Sequence, residues 1–341
     1  MGQPRVAVDA MGGDHGPAVA VEGALLAARE LGIAVALVGP LAVLEAELER
    51  QRAGGDGVEL VDAPDVVGMG EKVSLSTLKK RSSIQLALER VRDGAADAFF
   101  SAGNTAACWT IARMVLGTLE SVDRPALAAV LPNREGGRTV LIDVGANAQC
   151  KARHLEEFAI MGHAYARGVF HLEQPRVGLM SMGEEETKGS ELVRDVHEAL
   201  KASTLNFVGN VEGHDVFTGK VDVVVMDGFT GNVVLKACET LAEFVIDLIR
   251  EEVMRDTRSR AGAWMLRPAF RAVQRRADPG EVGGAPLLGL RGCCVIGHGK
   301  SDGRAVMHGI RTAAEFHTSG VNAAIEAELG GLSGGGQAAS A

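Results

Sequence analysis

The sequence predicts an α/β protein with a mainly parallel sheet covered by helices on both faces. Two observations carry this: short β-branched runs alternate with longer amphipathic segments almost from end to end, and the expected strands are joined by helices rather than tight turns. A third sets the scale, since 341 residues with 46% hydrophobic residues can bury a large core.

In chain order, the expected strands are Arg5–Asp9, Ala34–Val38, Val58–Val61, Ala98–Ser101, Thr139–Asp143, Arg176–Ser181, Asn206–Val208, Val221–Met226 and Cys293–Ile296. Most are short, largely apolar and β-branched runs, as befits a sheet covered on both faces. The helical patterns between them include Ala18–Leu31, Ser83–Arg92, Thr105–Leu116, Leu155–Arg167, Ser190–Ala202 and Asn232–Met254. Residues 1–329 are expected to form one α/β unit of two lobes around a central cleft. The glycine- and serine-rich tail 330–341 is expected to be disordered.

The segment Arg255–Arg276 departs from the alternation, with seven arginines, one acid and Pro268 in the middle. It reads as a protruding basic helical hairpin, within about residues 230–276. Trp264 and Leu266 sit at its tip, and Arg258, Arg260, Arg267, Phe270 and Arg271 surround them. Either a solvated or dimer-packed helix or a surface for anionic lipid or an acidic protein would suit this composition.

Composition excludes several classes. A formal charge of -9 argues against nucleic-acid binding by the whole surface, and no apolar run reaches the roughly 18 residues of a membrane span. The five cysteines form no C-x-x-C pair and no signal-peptide pattern opens the chain, so a reducing cytoplasm is expected.

Six expected strands run into glycine-rich polar corners: "DAMGGDHG" at Asp9, "SAGNTA" at Ser101, "DVGANA" at Asp143, "SMGEEETKGSE" at Ser181, "DGFTGN" at Asp227 and "GHGKSDG" at Gly297. Parallel α/β sheets bind ligands at the carboxyl ends of their strands, so the six corners are expected to converge on one cleft. Glycine permits close backbone approach and a following helix offers free N–H groups, which together suit a phosphate-bearing ligand or phosphate itself.

The familiar nucleotide loops fail here. A Walker A pattern needs glycine where Cys294 stands, and a dinucleotide fingerprint starting at Gly297 would need glycine at Asp302. There is no G-x-S-x-G elbow, and the nine histidines form no H-x-x-x-H pair. His15 and His298 suit hydrogen bonding better than metal ligation, so no metal and no cofactor are expected. What remains is catalysis by positioning and electrostatics. Lys188 is the best-placed cation, unless it simply pairs with one of Glu184, Glu185 and Glu186.

Together the corners, with "DRPALAAVLP" and "GGAPLLGLRGCCVIGHGKSD", resemble in order and spacing the bacterial acyl-ACP:phosphate acyltransferase family, over roughly Arg5–Leu329. The resemblance implies an isocitrate/isopropylmalate dehydrogenase-like fold. It also implies reversible transfer of a long-chain fatty acyl group from acyl carrier protein to inorganic phosphate, for phospholipid synthesis. The implied setting is a cytoplasmic homodimer in peripheral contact with the membrane and with a downstream membrane glycerol-3-phosphate acyltransferase.

By the family pattern Lys188 and Asn232 are the catalytic candidates, as cation and hydrogen-bond donor. The phosphate and substrate pocket would draw on Asp9, Gly12, Gly13, Asp14, His15, Ser101, Gly103, Asn104, Thr105, Asp143, Asn147, Gly183, Asp227, Gly231 and His298, with Asp9 and Asp14 shaping their turn. The basic hairpin becomes the membrane or carrier-protein contact, and Lys79, Lys80 and Arg81 a second surface for the acidic carrier. The chain departs from the family at Gln149, where Asp is usual, and at Ala106, where Gly is usual. A phosphotransacetylase-like enzyme using acyl-CoA and a catalytically silent membrane scaffold are the alternatives.

Overall fold

The structure, a computed structural model, describes residues 3–52, 57–277 and 283–335. Eleven strands form one sheet: β1 (Arg5–Asp9), β2 (Ala34–Gly39), β3 (Val58–Asp62), β4 (Ala98–Ser101), β5 (Ala126–Pro132), β6 (Arg138–Ile142), β7 (Val177–Met180), β8 (Phe207–Val211), β9 (Val223–Val225), β10 (Ala285–Leu288) and β11 (Cys293–Ile296). Their order is β3-β2-β1-β4-β11-β10-β5-β6-β9-β7-β8.

Both faces of the sheet are buried. Alternate residues point to opposite sides, so Val6 and Val8 join one core while Ala7 joins the other, and Phe100 and Phe99 divide in the same way. The first core packs under α1 (Pro17–Leu31), α6 (Ala152–Phe170) and α11 (Gly303–Thr318). The second packs under α4 (Ser83–Arg92) and α5 (Thr105–Leu116). The remaining helices are α2 (Leu41–Arg50), α3 (Leu75–Leu78), α7 (Glu191–Lys201), α8 (Gly228–Met254), α9 (Thr257–Met265), α10 (Arg267–Ala277) and α12 (Val321–Gly335).

All nine expected strands are present, and two more stand between them. Strand β5 is antiparallel to both β6 and β10, and β10 is antiparallel to β11. Two insertions therefore reverse the polarity: β1, β4 and β11 run one way and β6, β9 and β7 run the other, each trio being parallel within itself. The hairpin turn Asn133–Gly137 is closed by Gly137 N–H donating to the Asn133 side chain at 2.9 Å, with Gly136 at φ 81.

Helix α8 leaves the sheet with only Gly228 and Gly231 buried. Leu241, Phe244, Val245, Leu248 and Ile249 make an apolar stripe at helical spacing that lies open on this chain. Helices α9 and α10 follow it, with Trp264 74% exposed. Of the tail expected to be disordered, residues 330–335 continue α12, and 336–341 lie outside the described residues. No described helix is long and apolar enough to cross a membrane.

Candidate active site

The expectation that six corners share one carboxyl edge does not hold. The physical reason is the reversed polarity: the Asp9, Ser101 and Gly297 corners follow β1, β4 and β11, neighbours in the sheet, whereas the Asp143, Asp227 and Ser181 corners follow β6, β9 and β7. The corners form two groups of three. Among the described residues, no hydrogen bond or ion pair joins one group to the other.

In the first group Asp9 is an organiser. It is 3% exposed; its Oδ2 accepts from Ser101 Oγ at 2.7 Å, and its Oδ1 accepts from Met11 N–H at 3.1 Å. Burial pushes its carboxyl up, and the hydroxyl and backbone donors pull it back down. Ser101 also accepts from Gly103 N–H at 2.9 Å. A β-carbon on Gly12 would meet Gly103 N at 2.6 Å, so the first two corners lie in direct backbone contact. Asp14 N–H donates to Gly299 O at 2.7 Å, which attaches the third.

Asn104 is committed as well. Its Oδ1 caps α5 by accepting from Ala107 N–H, while its Nδ2 reaches the carbonyls of Met69 at 3.0 Å and Glu71 at 2.9 Å. Ser101 and Asn104, expected in the substrate pocket, are therefore held by the protein itself. His15 and Thr105 remain exposed beside them. His298 is exposed and accepts from Lys300 N–H at 3.2 Å through Nδ1. Asp9, Gly13, His15 and Ser301 line a narrow cavity with Phe100 and Val306.

The second group is built around Asp143, which is fully buried. Its Oδ1 accepts from the backbone N–H groups of Leu127 at 3.0 Å, Gly145 at 3.2 Å and Ala146 at 3.0 Å. Its Oδ2 accepts from Asn147 N–H at 2.7 Å and Asn147 Nδ2 at 2.9 Å. Burial raises this carboxyl too, against the pull of these donors. Asn147 Nδ2 also donates to Pro125 O at 2.8 Å. Asp143 and Asn147 thus face inward and shape the corner.

Asp227 caps α8, with Oδ1 accepting from Phe229 and Thr230 N–H at 3.0 Å. Gly228 N–H donates to Asn147 O at 2.9 Å, so two corners interlock. A side chain on Gly231 would strike the backbone of Asp143 and Val144, which explains why only glycine fits there. Asn232 follows it, exposed, with its amide beside Gly145.

Lys188 lies in the corner after β7, next to β9 in the sheet, and it is exposed. It forms no ion pair with a described residue; of the acids before it, Glu186 pairs with Lys201 at 2.7 Å, and the Glu185 backbone carbonyl accepts from Lys188 N–H at 2.9 Å. Gly183 is buried against the Lys188 stem. On this edge an exposed ammonium and an exposed carboxamide come from neighbouring corners, suited to holding an anion and donating to a developing oxyanion.

The thiols are poor nucleophiles. Burial pushes Cys108 and Cys293 up to about 12 and Cys150 up to about 11. Lys80, expected to face an acidic carrier, forms a 2.8 Å ion pair with Glu71, and Lys79 and Arg81 are exposed. In the basic segment Arg258, Arg260, Trp264, Leu266, Arg267 and Phe270 are exposed, and the side chain of Arg271 lies outside the described residues. The sequence reading missed Arg124, whose Nη1 donates to Gln149 O at 3.1 Å beside the Asp143 corner. It also missed His214 and Asp215, which lie near Glu184.

Residues 4–324 match the profile of a family described as "fatty acid synthesis protein". The chain is 47% identical over 326 residues to the phosphate acyltransferase of Acidobacterium capsulatum, covering 95% of this chain and 96% of that one. It is 45% identical over 319 residues to the phosphate acyltransferase of Aquifex aeolicus, covering 93% and 94%. Among solved structures, a phosphotransacetylase from Streptococcus pyogenes superposes with a TM-score of 0.64 at 15% identity, covering 93% of this chain and 94% of that one. A 4-hydroxythreonine-4-phosphate dehydrogenase from Klebsiella pneumoniae does so at 0.56 and 16%, covering 92% and 98%. At such identities the structural likeness speaks for the fold alone.

Proposed function

The chain belongs to the fatty acid synthesis protein family and is a phosphate acyltransferase, and from that premise we propose which of its residues carry the transfer and what they act on. The acceptor is inorganic phosphate, and the proposed donor is a long-chain fatty acyl thioester of acyl carrier protein. A phosphate oxygen attacks the thioester carbonyl carbon, a tetrahedral oxyanion forms, and the carbon–sulfur bond breaks to release the carrier thiolate. The product is an acyl phosphate, and the reverse step is the same path read backwards.

Phosphate is itself the nucleophile, so the protein needs no acyl-enzyme. Its task is to hold two reactants together and to stabilise negative charge. Lys188 is assigned the phosphate and the developing charge, and Asn232 a hydrogen bond to the carbonyl oxygen or to phosphate. The observation that carries this assignment is the exposed, unpaired Lys188 on the same three-strand edge as exposed Asn232.

His15, Thr105 and His298 belong to the other edge and are assigned the far wall of the cleft between two lobes. Sheet twist supports this. At about 20–25° per strand, the five steps from β4 to β9 turn the second edge by roughly 100–125°. The reversed strands thereby swing toward the first edge rather than straight away from it. Asp9, Asp143, Asp227 and Asn147 act by holding these walls in shape.

The open stripe on α8 favours a homodimer, since a single chain leaves it in water. Exposed Trp264 and Leu266 among the arginines favour peripheral contact with an anionic membrane, where the downstream glycerol-3-phosphate acyltransferase would take the product. Lys79 and Arg81 are the proposed contacts for the acidic carrier. The test is to incubate purified protein with long-chain acyl carrier protein and phosphate, trap acyl phosphate as hydroxamate, and repeat with acyl-CoA. Phosphate-dependent hydroxamate from the carrier thioester, in excess over acyl-CoA, is expected. No hydroxamate above the enzyme-free control would overturn the reading.

A further inference from the structure

Strand β8 ends at Val211, whose carbonyl accepts from Ser181 N–H at 2.9 Å, so the loop after β8 lies beside the Lys188 corner. That loop runs through Glu212, Gly213 and His214 into a single 3-10 turn, Asp215–Phe217. Asp215 is 3% exposed. Its Oδ2 accepts from Glu212 N–H at 3.0 Å, while its Oδ1 is buried with no hydrogen bond. An unsatisfied buried carboxylate oxygen is expensive, and it normally finds a donor or a cation.

Three ligand-type side chains gather around that carboxylate. Glu184, His214 and Asp215 each offer one ligand atom, all within 4.8 Å of one another. His214 Nε2 stands 3.5 Å from Asp215 Oδ1, outside good hydrogen-bonding range. Ligand atoms about 2.0–2.2 Å from a tetrahedral ion stand roughly 3.3–3.6 Å apart, which the His214–Asp215 pair matches, while the Glu184 ligand atom lies within 4.8 Å of both. The other ring nitrogen, Nδ1, faces Glu212 Oε2 at 3.6 Å, the kind of carboxylate that orients a metal-bound imidazole. The nearest competing cation is the Lys220 ammonium, 3.9 Å from Asp215 Oδ1, on a side chain 71% exposed and free to move.

We propose that Glu184, His214 and Asp215 form a site for a divalent transition-metal ion of the zinc class, which clamps the Ser181–Gly189 corner to the loop after β8. One imidazole and two carboxylates, with water completing the shell, suit zinc or manganese better than magnesium or calcium, which prefer all-oxygen shells of six or more. Glu184 is the exposed arm that closes on the ion. Its ligation fixes the start of the turn that bears Lys188. The ion binds and steadies the corner and takes no part in the transfer itself.

The experiment is calorimetric titration of chelator-stripped, tag-free protein with zinc chloride, beside H214Q, E184Q and K220M, with hydrogen exchange of the 182–188 amides as a second readout. One zinc per chain is expected, with H214Q and E184Q each weakening it by about tenfold or more. K220M should keep or tighten binding. The exposed positions of Glu184 and His214 should leave the metal-free melting curves unchanged. Zinc should slow exchange in the corner of the wild type but not of H214Q. Absence of saturable binding, equal binding by H214Q, or loss of binding in K220M would each overturn the site. None of these outcomes depends on the acyl-transfer assay, so the two proposals fail separately.

Discussion

Replacing Asp143 by Asn separates a structural carboxylate from a substrate contact. The wild-type carboxylate accepts five hydrogen bonds, from Leu127, Gly145 and Ala146 on Oδ1 and from the backbone and side chain of Asn147 on Oδ2. An amide keeps one oxygen. In its better orientation it serves the three Oδ1 donors and turns an NH2 toward two donors of Asn147. Two buried N–H groups without acceptors cost about 1–3 kcal/mol each, and removing a buried charge returns part of that. The net expectation is a loss of about 3 kcal/mol, read as a lowered urea midpoint at unchanged slope. At a temperature where the variant stays folded, its KM for phosphate should match the wild type within about twofold. Stability within about 0.5 kcal/mol of wild type, together with a strongly raised KM, would instead put Asp143 against the ligand.

Further outcomes follow from the same structure. Because burial holds Cys108 and Cys293 at about 12 and Cys150 at about 11, iodoacetamide at neutral pH should label the native protein far more slowly than free cysteine and leave activity intact. Rapid inactivation would return a thiol to the mechanism. The Lys80 ammonium, with Gly68 N–H, holds the Glu71 carboxyl below its ordinary 4.5 in the folded state. A lowered folded value gives stability that is present above 4.5 and lost as pH falls through the folded value. Glu71→Gln should therefore reduce stability at neutral pH and flatten its acid dependence, measured by urea unfolding across that range; an unchanged profile would remove the pair from the account.

Much of the fold is legible because buried strands announce themselves: "VAV" in β1, "AVALVG" and "CCVI" are apolar throughout. The two strands that escape are "ALAAVLP" and "APLL", one alanine-rich, the other short, and both holding a proline. These two reverse the sheet, so missing them places all six corners on one edge.

The glycine corners are visible as motifs, yet their side chains' partners are not. Asn147 is held by Pro125 O, and Asp143 by Leu127 N–H; the two partners lie just before and just inside the unseen strand β5. Asn104 is withdrawn by carbonyls of the 68–71 loop, more than thirty residues away. Local spacing cannot report such contacts. Nor can it report the Glu184, His214 and Asp215 cluster, whose members come from two loops thirty residues apart. Lys188 is the reverse case: its neighbouring glutamates suggest an ion pair in sequence, and in space they leave it free.

The central claim is that Lys188 holds phosphate and developing charge on the β6-β9-β7 edge. Its most direct test is steady-state formation of acyl hydroxamate from long-chain acyl carrier protein and phosphate by Lys188→Ala, with the urea midpoint measured alongside. The expected result is a fall of about 10²–10³-fold in kcat at a midpoint near wild type, since the ammonium is exposed and only the stem, beside Gly183, touches the corner. Turnover within about threefold of wild type would contradict it and remove Lys188 from the reaction.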